Sequence, residues 1–239
     1  MSAFITNKSF KRGLAVIPAR CGSKRIKNKN IRDFLGRPIL EYAVQAARAS
    51  ELFDEIVVST DSSEISEIAE ANGVKAPFVR PPDVSGDMAT TAEVLVHALG
   101  WYREQGVVWD WLCCIYPTAV FVEPEQLCAA AKMLQESGAT GVLTVCRFDY
   151  PIQRSVRINE QGTLEWNCPE HECTRSQDLE EAYHDAGQFY MWPAQEFSSN
   201  PRLMPSGACP FELDSRRVVD IDTEDDWALA EQTYRLLKL

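Results

Sequence analysis

The sequence predicts an α/β fold, a doubly wound and mostly parallel sheet carrying a β-rich insertion, and three observations lead there. Short apolar runs rich in β-branched residues alternate with amphipathic helical patterns, helix-start signals fall between them, and the alternation breaks once, after residue 147. A chain of 239 residues with 45% hydrophobic content suits one large domain, 1–239, and no linker of Pro, Gly or Ser divides it.

In chain order, the expected buried strands are Leu14–Ile17, Ile56–Ser59, Ala76–Val79, Leu112–Ile115 and Val142–Cys146. Pro38 starts the first helix, which carries Leu40, Ala43, Val44 and Ala47 along one side. Asp61-x-x-Glu64 resembles a capping box ahead of Ile65, Ile68 and Ala69, and Thr90-x-x-Glu93 repeats the signal before Val94, Leu95, Ala98, Leu99 and Tyr102. Pro124 opens a helix that buries Leu127, Ala131 and Leu134. Residues 148–185 alternate polar and aromatic groups among turn formers, which predicts a β-rich excursion or lid rather than another βα unit. The sheet pattern returns at Gln188–Trp192, and a last helix from Thr223 sets Trp227, Ala230, Tyr234 and Leu237 on one side. Ligands of such a sheet bind beyond the carboxyl ends of its strands.

Charge narrows the function. The chain carries a formal net charge of −11, which argues against nucleic acid or a membrane surface as partner, since either needs a broad basic face. The N-terminal MSAFITNKSFKRG lacks the apolar core of a signal peptide, no apolar run reaches the length of a membrane span, and a cytoplasmic address is expected. Eight cysteines then read as reduced, small hydrophobes, with Cys113, Cys114, Cys128 and Cys146 at positions expected to be buried. Cys168, His171 and Cys173 supply three potential zinc ligands, but the Cys-x4-Cys spacing is unusual for zinc and no second Cys pair lies nearby.

Against the acidic background stands one basic stretch. Arg20, Lys24, Arg25, Lys27, Lys29, Arg32 and Arg37 face a single acid, Asp33, while the remainder of the chain holds 17 basic and 34 acidic side chains. It follows an apolar run that stops at Pro18 and opens into Ala19-Arg20-Cys21-Gly22-Ser23-Lys24. Small residues let backbone N–H groups approach an anion, and Arg and Lys add charge, so the loop reads as a triphosphate cradle, with an exposed basic loop as the plain alternative. Neither G-x-x-x-x-G-K-[ST] nor G-x-G-x-x-G is present. Asp220 and Asp222 in Val219-Asp-Ile-Asp-Thr223 fall on the same side of an extended segment, opposite Ile221. Such a pair suits Mg²⁺ shared with phosphate oxygens; capping of the last helix accounts for Thr223 or Asp222 but leaves Asp220 without a purpose. Arg80-Pro81-Pro82 and Asp87-Met-Ala-Thr-Thr91 form a polar crossover into a helix start, suited to anions or base edges. Between residues 150 and 190, Gln153, Arg154, Arg175, Asp185 and Gln188 gather cations and amides that suit a carboxylated sugar, or a solvated surface.

Val16-Ile-Pro-Ala-Arg-Cys-Gly-Ser-Lys24, Lys29-Asn30, Val58-Ser-Thr-Asp61, Arg80-Pro81, Asp87–Thr91, Tyr116-Pro-Thr118 and Asp220-Ile-Asp-Thr223 together resemble the cytidylyltransferases that activate nine-carbon acidic sugars, the sialic acid synthetase family. The match runs in order along almost the whole chain. Within the family, Ile115–Ala119, Tyr150–Arg154, Arg175–Leu179 and Ala182–Tyr190 look like its pseudaminic acid branch: Tyr116 replaces a Gln usual in the sialic acid branch, and Asp185-Ala-Gly-Gln188 replaces an Asn-Gly-Ala turn. Cys21 and Val120 are minor departures, at positions where Gly or another small or polar residue, and Pro, are common.

The resemblance implies a parallel-sheet nucleotidyltransferase fold, CTP and Mg²⁺ as partners, and transfer of CMP to the sugar's anomeric hydroxyl with release of pyrophosphate. It places Arg20, Ser23, Lys24 and Asn30 at the phosphates and ribose, and Arg80, Ala89 and Thr91 at cytosine. Ala19, Gly22, Thr60, Asp61, Asp87 and Thr90 complete the expected nucleotide-binding motifs, and Asp220 and Asp222 the metal site. Arg20, Lys24, Asp220 and Asp222 are the expected catalytic groups; Tyr116, Gln153, Arg154, Arg175, Asp185, Gln188 and Tyr190 are the expected sugar contacts. The 148–185 excursion is expected to act as lid and dimer arm in a homodimer. Two alternatives stay open: the same reaction on sialic, legionaminic or keto-deoxyoctonic acid, and a protein of this fold that binds nucleotide without turnover.

Overall fold

A computed structural model describes residues 10–237. The strands are β1 (Gly13–Pro18), β2 (Asp33–Phe34), β3 (Arg37–Pro38), β4 (Glu55–Ser59), β5 (Trp111–Ile115), β6 (Val142–Arg147), β7 (Val156–Ile158), β8 (Leu164–Trp166), β9 (Tyr183–Pro193) and β10 (Cys209–Glu212). The helices are α1 (Leu40–Ala49), α2 (Ser63–Ala71), α3 (Thr91–Glu104), α4 (Pro124–Ser137), α5 (Ala194–Ser199) and α6 (Glu224–Leu237). Six strands form the main sheet in the order β10-β6-β9-β5-β1-β4. Its pairs are parallel except where β9 lies antiparallel between β5 and β6, so the doubly wound, mostly parallel sheet is as the alternation predicts.

The core has two sides. Ile17, Val58, Cys113, Ile115 and Met191 meet the buried stripes of α1, α2 and α4, while Leu14, Val16, Leu112, Cys114 and Trp192 meet α3 and α5. Alternation along each strand supplies both faces, which is why these strands are apolar throughout. The predicted helical stripes are the buried ones: Leu40, Ala43, Val44 and Ala47 on α1, and Val94, Leu95, Ala98, Leu99 and Tyr102 on α3. On α4 Ala130 takes the buried place and Ala131 is only partly covered. A third cluster packs Ile26 and Phe34 against Ile221 and Trp227, tying the basic stretch to the last helix.

Several expectations are corrected. Ala76–Val79 is no strand; only isolated bridges, Val57 with Lys75 and Thr60 with Val79, accompany the edge strand β4. Pro77 lacks an N–H and Val79 is exposed, so no ladder is sustained there. Pro38 lies in β3, paired with Asp33, and the helix begins two residues later at Leu40. Ser62 rather than Asp61 caps α2, its hydroxyl accepting the Ile65 N–H at 3.4 Å. Cys128 is exposed, although all eight cysteines are free thiols and Cys113, Cys114 and Cys146 are buried. The Thr90/Glu93 capping box is formed as expected.

The 148–185 excursion contains one small hairpin, β7 with β8, joined by short 3-10 turns. The returning strand begins at Tyr183, five residues before the expected Gln188. Its pairing with β6 is interrupted: Leu143 faces Tyr190 and Val145 faces Asp185, so β9 loops out between them. Gly187 turns the chain there with φ +61°, and the Thr144 hydroxyl stands in for the lost ladder, donating to the Phe189 carbonyl at 2.8 Å. Among the described residues no helix is long and apolar enough to cross a membrane.

Candidate active site

The carboxyl ends of β1 and β5 and the start of α3 converge on a cavity of about 440 Å³. Its wall includes Arg20, Ser23, Lys24, Arg25, Lys29 and Asn30 from the basic stretch, Arg80, Asp87, Ala89 and Thr91 from the crossover, and Tyr116, Pro117 and Thr118 after β5.

The basic loop is held from behind. Ala19, fully buried, extends the β1–β4 register by donating to the Ser59 carbonyl at 3.0 Å. Asp61 accepts the Cys21 N–H at 2.9 Å, and the Asn30 amide donates to the Arg20 carbonyl at 2.9 Å. Asp61 is therefore spent on the loop and unavailable to cap α2. Neither Cys21 nor Gly22 has a positive φ, so a side chain at position 21 is tolerated, and the Gly22 Cβ position is open space. Thr60 is buried and accepts the Ser62 N–H; Thr90 is consumed by its cap. Ala19, Gly22, Thr60, Asp61 and Thr90 thus shape the cavity without lining it, whereas Arg20, Ser23, Lys24, Asn30, Arg80, Asp87, Ala89 and Thr91 line it.

Each cation of the wall stands near a carboxylate. Arg20 reaches Asp87 at 2.8 Å and Lys24 joins the same carboxylate. Arg25 reaches Asp222 at 2.8 Å, and Lys29 lies 3.2 Å from Asp222 while donating to the Ile221 carbonyl at 2.6 Å. Arg80 is 3% exposed and 4.0 Å from Asp61, and its Nη2 has no hydrogen-bond partner. Burial lowers the pKa of this guanidinium, and the Arg20 charge adds to the effect against the opposing pull of Asp61.

Asp220 and Asp222 do not line the cavity; Asp222 is tied to its wall through Arg25 and Lys29, which do. Ile221 between them is buried, as the alternation requires, while Asp220 is solvent-accessible. Partial burial pushes the Asp220 carboxyl above the usual range; Asp222 pushes the same way, and Lys29 opposes both. Asp222 does not cap α6: Thr223 does, exchanging hydrogen bonds with Asp226, whose carboxylate also accepts the Asp222 N–H at 3.1 Å. The side chain of Asp222 is left for Arg25 and Lys29.

Among the expected sugar contacts, Tyr116 is in the wall, its hydroxyl 3.0 Å from that of Thr91 and its ring edge-on to Tyr190 at 5.7 Å. Tyr190 donates to Asp185, which also accepts the Gly187 N–H at 3.0 Å, and burial raises both tyrosine hydroxyls far above their ordinary pKa. Gln188 is buried beside them with its Oε1 unpartnered. Asp185, Gln188 and Tyr190 stand behind Tyr116 without lining the cavity, and Gln153, Arg154 and Arg175 lie on the excursion, bonded to Glu180, Ser176 and Asp178, and do not line it either. Cys168, His171 and Cys173 form no metal cluster: among the described residues no group of three His, Cys, Asp or Glu side chains is placed to hold an ion. The sequence places Arg25 and Lys29 in the phosphate cradle without an individual role, and gives none to Pro117 and Thr118, all four of which line the cavity. The Lys29-Asn30 and Tyr116-Pro-Thr118 motifs were the available signals.

Comparison with known proteins agrees with this geometry. A cytidylyltransferase family model matches residues 14–204. The pseudaminic acid cytidylyltransferase of Campylobacter jejuni is 37% identical over 225 residues, 94% of this chain and 97% of the relative. The CMP-N,N'-diacetyllegionaminic acid synthase of Legionella pneumophila is 32% identical over 230 residues, covering 93% and 96%. A solved CMP:2-keto-3-deoxy-manno-octonic acid synthetase complexed with CTP shares the fold, with a TM-score of 0.67 at 17% identity over 95% of this chain and 99% of its own. A cavity at the carboxyl edge of a nucleotidyltransferase sheet, and relatives aligned from end to end, place this chain in the cytidylyltransferase family.

Proposed function

We propose that this enzyme transfers the CMP of CTP to the anomeric hydroxyl of pseudaminic acid, a nine-carbon acidic sugar, and releases pyrophosphate. The observation that carries the reading is Lys29, which lines the cavity and bonds Asp222, so that the cationic loop and the carboxylate pair serve one ligand. Arg80, with a buried and unpartnered Nη2, supplies a donor for a base carbonyl beside Ala89 and Thr91. Arg20 and Lys24 neutralise the β- and γ-phosphates, and charge building on the departing pyrophosphate is met by the same groups.

The residues fit Mg²⁺. Asp220 and Asp222 offer hard oxygen donors only and share one side of an extended segment, and Asp220, raised first by partial burial and then by Asp222, has no ion-pair partner of its own among the described residues. Bound there, the ion would polarise the α-phosphate and increase the acidity of the attacking hydroxyl. The protein's own part is then positioning: Tyr116, Asp185, Gln188 and Tyr190 hold the sugar, and no side chain is assigned as a dedicated base.

The 37% identity with the Campylobacter enzyme, together with Tyr116 and the Asp185–Gln188 turn, supports pseudaminic over sialic acid. The excursion is assigned as lid and dimer arm of a cytoplasmic homodimer, carrying Gln153, Arg154 and Arg175 toward the sugar; light scattering reads the mass directly, and a strict monomer contradicts that part. Pyrophosphate release from CTP with pseudaminic, legionaminic and sialic acids tests the whole. The highest kcat/KM is expected with pseudaminic acid. Faster turnover of either other acid overturns the sugar, and CTP affinity without pyrophosphate from any acid overturns the enzyme.

A further inference from the structure

Asp87 is out of place in a polyphosphate site. Its carboxylate accepts but cannot donate, yet it lines the cavity and engages Arg20 and Lys24, the two groups that the phosphates need. Asp222, the other acid that pairs with two cations of the wall, lies outside the lining and is fixed: its N–H is held by Asp226, and the neighbouring Ile221 is buried with its carbonyl bound by Lys29. Asp87 has no such anchorage. It sits on an exposed turn, Gly86–Ala89, that closes on itself through the Ala89 N–H and the Gly86 carbonyl at 3.1 Å, beside Met88 at 91% exposure. Two ion pairs join this turn to the basic loop.

On the reading of the cavity as a CTP site, we propose that Asp87 is a built-in competitor for the polyphosphate, rather than a contact to nucleotide. One carboxylate against two cations leaves them half-neutralised, with their side chains already gathered at the cavity wall. A β,γ-diphosphate unit carries more negative charge and several acceptor oxygens, so it displaces Asp87 from Arg20 and Lys24. Once the reaction has separated pyrophosphate from the nucleotide, the carboxylate competes for the same two cations and assists its departure. The device loosens the hold on CTP and on pyrophosphate alike, and so shortens the residence of the cleaved product.

The test is calorimetric titration of the wild-type enzyme, Asp87→Asn and Asp87→Glu with CTP, inorganic pyrophosphate and cytidine, in Mg²⁺ at low ionic strength. Asp87→Asn is expected to bind CTP and pyrophosphate about three to ten times more tightly, within the roughly two- to thirtyfold range that two partly exposed ion pairs span. Cytidine affinity is expected to stay unchanged, and Asp87→Glu to lie nearer the wild type. Asp87→Ser replaces the amide variant if that one does not fold. Equal or weaker polyphosphate binding by the uncharged variants overturns the proposal, because a ligand contact or a metal ligand at Asp87 loses affinity when its charge is removed. A wild-type enzyme that binds neither CTP nor pyrophosphate overturns instead the site assignment on which the proposal rests.

Discussion

The bridge between Lys29 and Asp222 gives a quantitative prediction. The Lys29 ammonium, on a side chain 19% exposed, lies 2.6 Å from the Ile221 carbonyl and 3.2 Å from Asp222, itself 27% exposed. Lys29→Met keeps most of the aliphatic stem but removes a charged donor from both acceptors. A hydrogen bond to a charged group contributes about 1.5–3 kcal/mol, so the variant should lose about 2 kcal/mol. For a protein of this size that is a fall of roughly 4–8 °C in Tm. Asp222→Asn should cost less, since Arg25 loses only its charge partner and the amide oxygen still accepts. Because the residues touch, urea unfolding of both single variants and the double variant should reveal a coupling of about 1 kcal/mol. Additivity within about 0.3 kcal/mol would refute the bridge, and with it the claim that the loop and the carboxylates form one unit.

Other consequences follow from single contacts. Asp220 is held above the ordinary carboxylate range by desolvation and by Asp222, so the folded state favours its protonated form. Its contribution to stability is present below the unfolded pKa and is lost as pH rises through the folded one; Asp220→Asn should therefore raise Tm at pH 7 while abolishing turnover, and the gain should vanish at acidic pH. A lower Tm at pH 7 would contradict this. A Cβ at Gly141 would meet Trp192 at 2.6 Å and the Met191 carbonyl at 3.1 Å, so Gly141→Ala should destabilise by about 1–3 kcal/mol in urea, and an unchanged midpoint would argue against that packing. Tyr116→Phe removes the 3.0 Å contact with Thr91 and should cost about 1 kcal/mol; a neutral result would show that the pair is not formed in solution.

The alternation of apolar runs and capped helices carried most of the fold, because strands buried on both faces and amphipathic helices write themselves into local composition. Where proline intervened the reading failed: Pro77 makes 76–79 an edge segment with isolated bridges, and Pro38 enters a two-residue ladder instead of a helix. The antiparallel insertion of β9 and the late pairing of β10 with β6 are long-range choices with no local signal. In the site, the cations and the acid pair were legible from charge concentrated against an acidic background. What lay hidden was which acid serves which cation. Asp61 looks like a helix cap in sequence, yet it holds the Cys21 N–H, and Asp87 looks like a ligand contact while it pairs with Arg20 and Lys24.

If the basic loop and the Asp220/Asp222 pair grip the same nucleotide, CTP affinity depends on Mg²⁺ through those carboxylates. In the wild-type enzyme Mg²⁺ should tighten CTP binding. In Asp220→Asn/Asp222→Asn that tightening should disappear, while Arg20→Ala should weaken CTP both with and without the ion. Undiminished tightening by Mg²⁺ in the double variant would contradict the account.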